Sequence, residues 1–334
     1  SGYLPTAFQV SGAFKNFSED RGLTGISIDG KVRVDELNVS NFQPYFKKGL
    51  AKVPSDILLS LSSSFSGNIG GSMKTEGTLK YSSNSSKERA ILIDARVPRS
   101  GKLEYKISLD HEFLNIEELK SDSGPFKFKA KSTLANFLSQ DPSISIDLIS
   151  DFFQVNKSID YLPLKFFPEK YHALVQSHIK NGSIKIKSLK FAGSLDQLKE
   201  IGQKENRGLI STELEIKHVD LQSPLPRLQN VTGTISINKG NTNLHIAKAR
   251  YEKQLITNVH GTINNIMTRP LVNLKVENEV DMSQFHGTLK KIFKGHPLLD
   301  SIAIYNEFEG KAKVLLNVKG PMDDFDKLAI SGKI

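Results

Sequence analysis

Leu214-Glu215-Ile216-Lys217-His218-Val219-Asp220-Leu221 is apolar at its first, third, sixth and eighth positions, and the chain repeats that phrase three more times. The other copies are Val32/Val34/Leu37/Val39, Ile184/Ile186/Leu189/Phe191 and Leu244/Ile246/Ala249/Tyr251. Strict alternation keeps one side of a strand apolar, so an extra residue between the two halves turns the second half outward unless a bulge absorbs it. The spacing therefore predicts bent strands with one apolar face. The bulges fall at Asp35-Glu36, Lys187-Ser188, Lys217-His218 and Ala247-Lys248.

Working outward, short alternating runs with turn residues between them fill most of the chain. They cover residues 6–14, 25–39, 56–66, 72–82, 90–97, 103–110, 126–131, 143–148, 183–192, 209–221, 231–237, 242–251, 255–263, 271–279, 301–308, 311–319 and 328–334. Many begin just after a glycine (Gly182, Gly233, Gly261, Gly310), which suits reversals and bulges where φ is positive. Short joins make an antiparallel meander the default, because parallel strands need long crossovers. Three helices interrupt it, near 41–53, 168–180 and 282–294, each with one apolar stripe, such as Tyr171/Leu174/Val175/Ile179. The fold class is mainly β: a long curved antiparallel sheet forming an open groove, a β-taco, with a few short amphipathic helices. Two segments of this kind are expected, residues 1–160 and 161–334.

Composition narrows the function. At 334 residues and 38% hydrophobic content the chain can bury a core. Without cysteine it has no disulfides, thiolate metal sites or cysteine nucleophiles. No run of ~18 apolar residues long enough for a membrane helix occurs. Net charge is +9, and lysines such as Lys127, Lys129, Lys131, Lys185, Lys187 and Lys190 mostly alternate with apolar residues, as on the solvated side of strands.

Motifs for chemistry are missing. The sequence has no phosphate loop, dinucleotide fingerprint, His-Glu-x-x-His or serine elbow. The eight histidines are dispersed, and His111, His172 and His178 lack ligand spacing. Asp323-Asp324-Phe325-Asp326 reads as a turn after Gly320-Pro321, without the Gly and Glu of a calcium loop. The aromatics Phe126, Phe128 and Phe191 fall on the apolar parity of strands, so nucleic acid is not an expected partner. No enzyme activity, cofactor or metal is expected.

One stretch has a likeness. Tyr161-Leu-Pro-Leu-Lys-Phe-Phe-Pro168, then Ile179-Lys-Asn-Gly-Ser-Ile-Lys-Ile186, Leu189-Lys-Phe-Ala-Gly-Ser-Leu195, Pro224-Leu-Pro-Arg-Leu228, Val231-Thr-Gly-Thr-Ile-Ser-Ile237 and Val259-His-Gly-Thr-Ile263 resemble, in that order, a segment of AsmA-like envelope proteins of the YhdP type. The likeness spans about residues 155–265. It implies a periplasmic protein anchored to the inner membrane through a part outside this segment. Its curved sheet would hold phospholipid or another envelope lipid and conduct it between inner and outer membranes, with envelope proteins as further partners. The lining expected for such a groove is Val32, Val34, Leu37, Val39, Ile184, Ile186, Leu189, Phe191, Leu214, Ile216, Val219, Leu221, Ile235, Ile237, Leu244 and Ile246. A non-catalytic β-rich scaffold for outer-membrane biogenesis is the rival reading. An outer-membrane barrel ranks third, because tryptophan girdles are missing and lysine occurs in most strands.

Overall fold

Alternation of apolar with polar residues dominates the chain, and the computed structural model answers it with strands almost throughout. The structure describes residues 7–16, 26–39, 57–83, 89–90, 95–96, 99–158, 179–200, 203, 205–221, 228–251, 254–265, 270–283, 309–321 and 327–333. The strands are β1 (Ala7–Lys15), β2 (Ser27–Asn38), β3 (Ile57–Asn68), β4 (Met73–Ser83), β5 (Arg89–Ala90), β6 (Ala95–Arg96), β7 (Ser100–Leu109), β8 (Phe113–Ser123), β9 (Phe126–Ala135), β10 (Ser143–Ser150) and β11 (Phe153–Gln154). They continue with β12 (Ile179–Ser194), β13 (Ile210–Leu221), β14 (Leu228–Asn238), β15 (Asn241–Tyr251), β16 (Gln254–Asn264), β17 (Leu271–Asp281), β18 (Lys311–Pro321) and β19 (Ala329–Lys333). All but the β5–β6 pair belong to one open sheet of 17 strands, and the paired neighbours run antiparallel. Among the described residues the α-helices are short: α1 (Val155–Ser158) and α2 (Leu195–Lys199), the latter held by a Ser194–Gln197 capping box.

The expected helices near 41–53 and 282–294 fall almost wholly outside the described residues, as does 168–178; Ile179 and Lys180 open β12. The expected strand 301–308 and the turn Asp323 to Asp326 also lie outside them.

The chain forms two compact units, divided within β12 between Lys187 and Ser188. Unit 1 contains β1 to β10 and the second half of β12. Neighbours pair in the order β1, β2, β3, β4, β7, β8, β9, β10, β12. Unit 2 contains the first half of β12 and β13 to β19, with β13 to β19 paired in sequence order. Its core is Ile216, Val219, Val231, Ile246, Ala249 and Val259.

In three of the four copies the bulge comes where the phrase requires an extra residue to be absorbed. β2 shifts register against β3 between Val34 and Leu37, β13 against β14 between Ile216 and Val219, and β15 against β14 between Ile246 and Lys248. Glu36 and His218 adopt left-handed backbone there, with φ of 52° and 53°. In the fourth copy, Lys187 reaches Glu213 on the charged side of unit 2, and Lys190 reaches Asp147 on that of unit 1.

A bulge frees a backbone N–H that the ladder no longer takes up. Here side chains on the neighbouring strand accept it. Glu36 N–H donates to Ser60 Oγ at 3.1 Å, His218 N–H to Thr232 Oγ1 at 3.3 Å and Asn230 N–H to Asp220 Oδ1 at 3.0 Å. In β16, Thr257 N–H donates to Asn278 Oδ1 at 3.1 Å, beside the left-handed Asn258.

Three expectations need correction. The strand expected over 90–97 is instead the short β5 and β6, which pair antiparallel with each other. Gly233 and Gly261 are not at reversals; they sit mid-strand in β14 and β16 without positive φ, Gly233 beside the register shift of β14 against β15, whereas Gly182 and Gly310 do have it. β8 falls where no strand is predicted. Its Leu114, Ile116, Leu119 and Ser121 are a fifth copy of the phrase, with a register shift between Ile116 and Leu119. The copy escapes notice because its eighth position is serine, which is nevertheless buried.

Candidate functional site: a charge-free sheet face

Residues directly opposite each other in antiparallel strands point to the same side, so the registers can be read across the sheet as rows. In unit 1 one row runs Val10, Val32, Ser63, Gly77, Tyr105, Leu119, Ala130, Leu148 and Leu189. Its neighbour runs Gly12, Gly30, Phe65, Thr75, Ile107, Ile116, Ser132, Ile146 and Phe191. Rows that begin at Phe8 and Phe14 flank these two. No Asp, Glu, Lys or Arg occurs in any of the four as they pass from β1 to β10.

The opposite side of unit 1 holds the charges. Lys15–Asp29, Arg33–Asp35, Lys106–Glu76, Lys120–Glu118, Lys127–Asp122 and Lys190–Asp147 are ion pairs there, at 2.8 to 3.9 Å. Lys102 bonds Glu104 and, with the field of Lys120, holds the Glu104 carboxyl below the usual carboxylate range. Lys120 does the same for Glu118. Two shallow depressions also open on this side, bordered by Lys31, Glu76 and Lys106.

The apolar face is level where aromatics meet glycines. Phe65 is directly opposite Gly30, Tyr105 opposite Gly77 and Tyr81 opposite Gly101. A Cβ on Gly30 would stand 2.3 Å from the tip of the Phe65 ring, and one on Gly101 2.5 Å from the Tyr81 hydroxyl. Each ring therefore lies over a strand that offers no side chain of its own. Tyr105 reaches across β4, and its hydroxyl donates to Ser63 Oγ at 2.8 Å; Ser63 also bonds Thr75 Oγ1 at 2.9 Å. The hydroxyls of these three side chains thus satisfy one another.

Unit 2 repeats the division. Leu214, Ile235, Leu244, Gly261, Leu274, Val318 and Ile330 form one row, and Ile216, Gly233, Ile246, Val259, Val276, Leu316 and Gly332 the next. The ion pairs Lys217–Glu215, Lys275–Glu277 and Lys311–Glu279 lie on the other side. Lys275 and His260 keep the Glu277 carboxyl below its ordinary range.

The expected lining residues divide between the two units. Val32, Val34, Leu37, Val39, Leu189 and Phe191 belong to unit 1. Val34, Val39 and Phe191 are buried and the others half-buried. Ile184, Ile186, Leu214, Ile216, Val219, Leu221, Ile235, Ile237, Leu244 and Ile246 belong to unit 2, where Ile216, Val219 and Ile246 are core and Ile184, Leu221, Ile235 and Leu244 pack against them. The sequence reading missed the larger part of the unit 1 face: Leu61, Leu79, Leu103 and Leu119 continue its rows. Row membership depends on register, which no single strand reveals.

Among the described residues no three metal-ligating side chains converge, and no helix is long and apolar enough to cross a membrane. Comparison with protein-family models, curated proteins and solved structures gave no match.

Proposed function

We propose that this chain is a lipid-holding segment of an envelope protein of the AsmA-like kind, located in the periplasm and anchored to the inner membrane through another part of the protein. Acyl chains of phospholipid, or of another envelope lipid, rest on the apolar rows and pass along them between the membranes. One observation carries this reading: four uncharged rows cross eight strands of unit 1, and most of their side chains stay half-buried. A protein layer packed over that face would bury them. An acyl chain gains ~0.8 kcal/mol for each methylene taken from water, and without a charged grip it is free to move along the surface. No chemical step or cofactor is needed.

The test is a photoreactive residue at Leu103, on the apolar face, compared with one at Lys102, on the charged side. Purified protein from irradiated cells should show a lipid adduct by mass spectrometry at position 103 and not at 102. Absence of lipid at both, or equal labelling, would overturn the reading in favour of a scaffold whose apolar face is occupied by protein.

A further inference from the structure

On the charged side of unit 2, His245 of β15 lies directly opposite His260 of β16. Their rings are 4.9 Å apart between centroids and inclined by 60°, with Nδ1 to Nδ1 at 3.2 Å. Two nitrogens this close share at most one proton, so at least one lone pair points into the space between the rings. The separation also matches another arrangement. Two imidazoles on one metal ion, each at about 2.0–2.1 Å, have their nitrogens roughly 3.1–3.4 Å apart at near-tetrahedral angles.

The sheet fixes the backbone positions of both histidines in advance. β15 is paired on both sides, by β14 and β16, and β16 by β15 and β17. Ile246 and Val259, the neighbours of the two histidines on the other side of the sheet, are buried in the core. The charged residues of this row are paired: Lys275, opposite His260, is drawn to Glu277 at 2.5 Å, and Glu215 pairs with Lys217 at 3.2 Å. An incoming cation meets no unpaired lysine in this row, and the Glu277 carboxylate is the nearest anionic group along β17.

We propose that His245 and His260 form a two-imidazole site for a divalent transition-metal ion, with water completing the coordination. Imidazole nitrogen selects borderline ions over Mg²⁺ and Ca²⁺, and the usual order of stability places Cu²⁺ above Zn²⁺ and Ni²⁺. The site is independent of lipid binding, since it faces the charged side.

The test is titration of the purified chain, without a histidine tag, with Cu²⁺ alone, read by equilibrium dialysis and pulsed electron paramagnetic resonance. Wild type should take up one saturable Cu²⁺ with two coupled imidazole nitrogens. His245→Ala and His260→Ala should each lose that species while keeping the circular dichroism of wild type, and His111→Ala should retain it. No saturable binding by wild type, or binding that survives both substitutions, would overturn the proposal and leave a simple hydrogen bond between the two rings.

Discussion

Alanine at Gly233 would place a methyl group 2.1 Å from the His245 carbonyl oxygen and 2.9 Å from the Ile246 Cα. Both obstacles are backbone of β15, so no side chain can swing aside. Real Cβ contacts essentially never fall below 3.0 Å, so the two strands must part locally by nearly an ångström. That stretch breaks the N–H···O geometry on either side of Gly233 and Ile246. Losing about two such bonds costs ~2 kcal/mol, and the strain of overpacking adds ~1–3 kcal/mol. Gly233→Ala should therefore destabilise by about 3–5 kcal/mol. Gly208 is the control: a Cβ there meets nothing within 4 Å and its φ is not left-handed. Alanine at 208 should stabilise by ~0.4–1 kcal/mol through the unfolded chain. The assay is urea denaturation followed by circular dichroism, with hydrogen exchange at β14 and β15 to locate the loss. A Gly233→Ala variant within about 1 kcal/mol of wild type would refute the close-approach argument.

Two further outcomes are expected. Thr242 is buried at 2% exposure and its hydroxyl has no partner among the described residues, so Thr242→Val should stabilise the chain by ~1 kcal/mol in the same denaturation assay; a loss would mean that the hydroxyl is satisfied. Glu104, Glu118 and Glu277 have folded pKa values below their ordinary ones, so the stability they supply is present above about pH 5 and fades as pH falls through the folded values. Lys120, Lys127 and Lys187 are raised by their carboxylate partners, so their contribution is present below about pH 10 and lost as pH rises further. Melting temperature against pH should show both limbs, weaker in 1 M salt because these pairs are exposed. Limbs unchanged in Glu104→Gln/Glu118→Gln would assign the acid loss to other groups.

The eight-residue phrase made much of this fold legible, because its spacing encodes both the face and the bulge. Val34 to Leu37 and Ile216 to Val219 could be placed from sequence alone. What it could not reveal depends on partners in other strands. Ser60, Thr232, Asp220 and Asn278 look like ordinary polar strand residues, yet they hold the N–H groups that the bulges release. Gly233 reads as a turn residue by composition, and only the opposing β15 backbone explains it. His245 and His260 are fifteen residues apart, a separation without meaning until the β15–β16 register brings them together. β8 shows the limit of a hydrophobic pattern: a buried serine at one key position was enough to conceal a strand.

The rings of Phe65, Tyr81 and Tyr105, each laid over a facing glycine, also set how rough the surface is. Ridges formed by standing side chains would trap an apolar molecule in furrows and impose a barrier on every step. Where a ring fills the gap beside a glycine, peaks and troughs are levelled. Moving by one carbon then exchanges contacts of ~0.1–0.2 kcal/mol per atom pair for nearly equivalent ones. For an acyl chain held as proposed, friction along such a floor would be low for the same reason that selectivity would be low: there is little relief to read the shape of what lies on it.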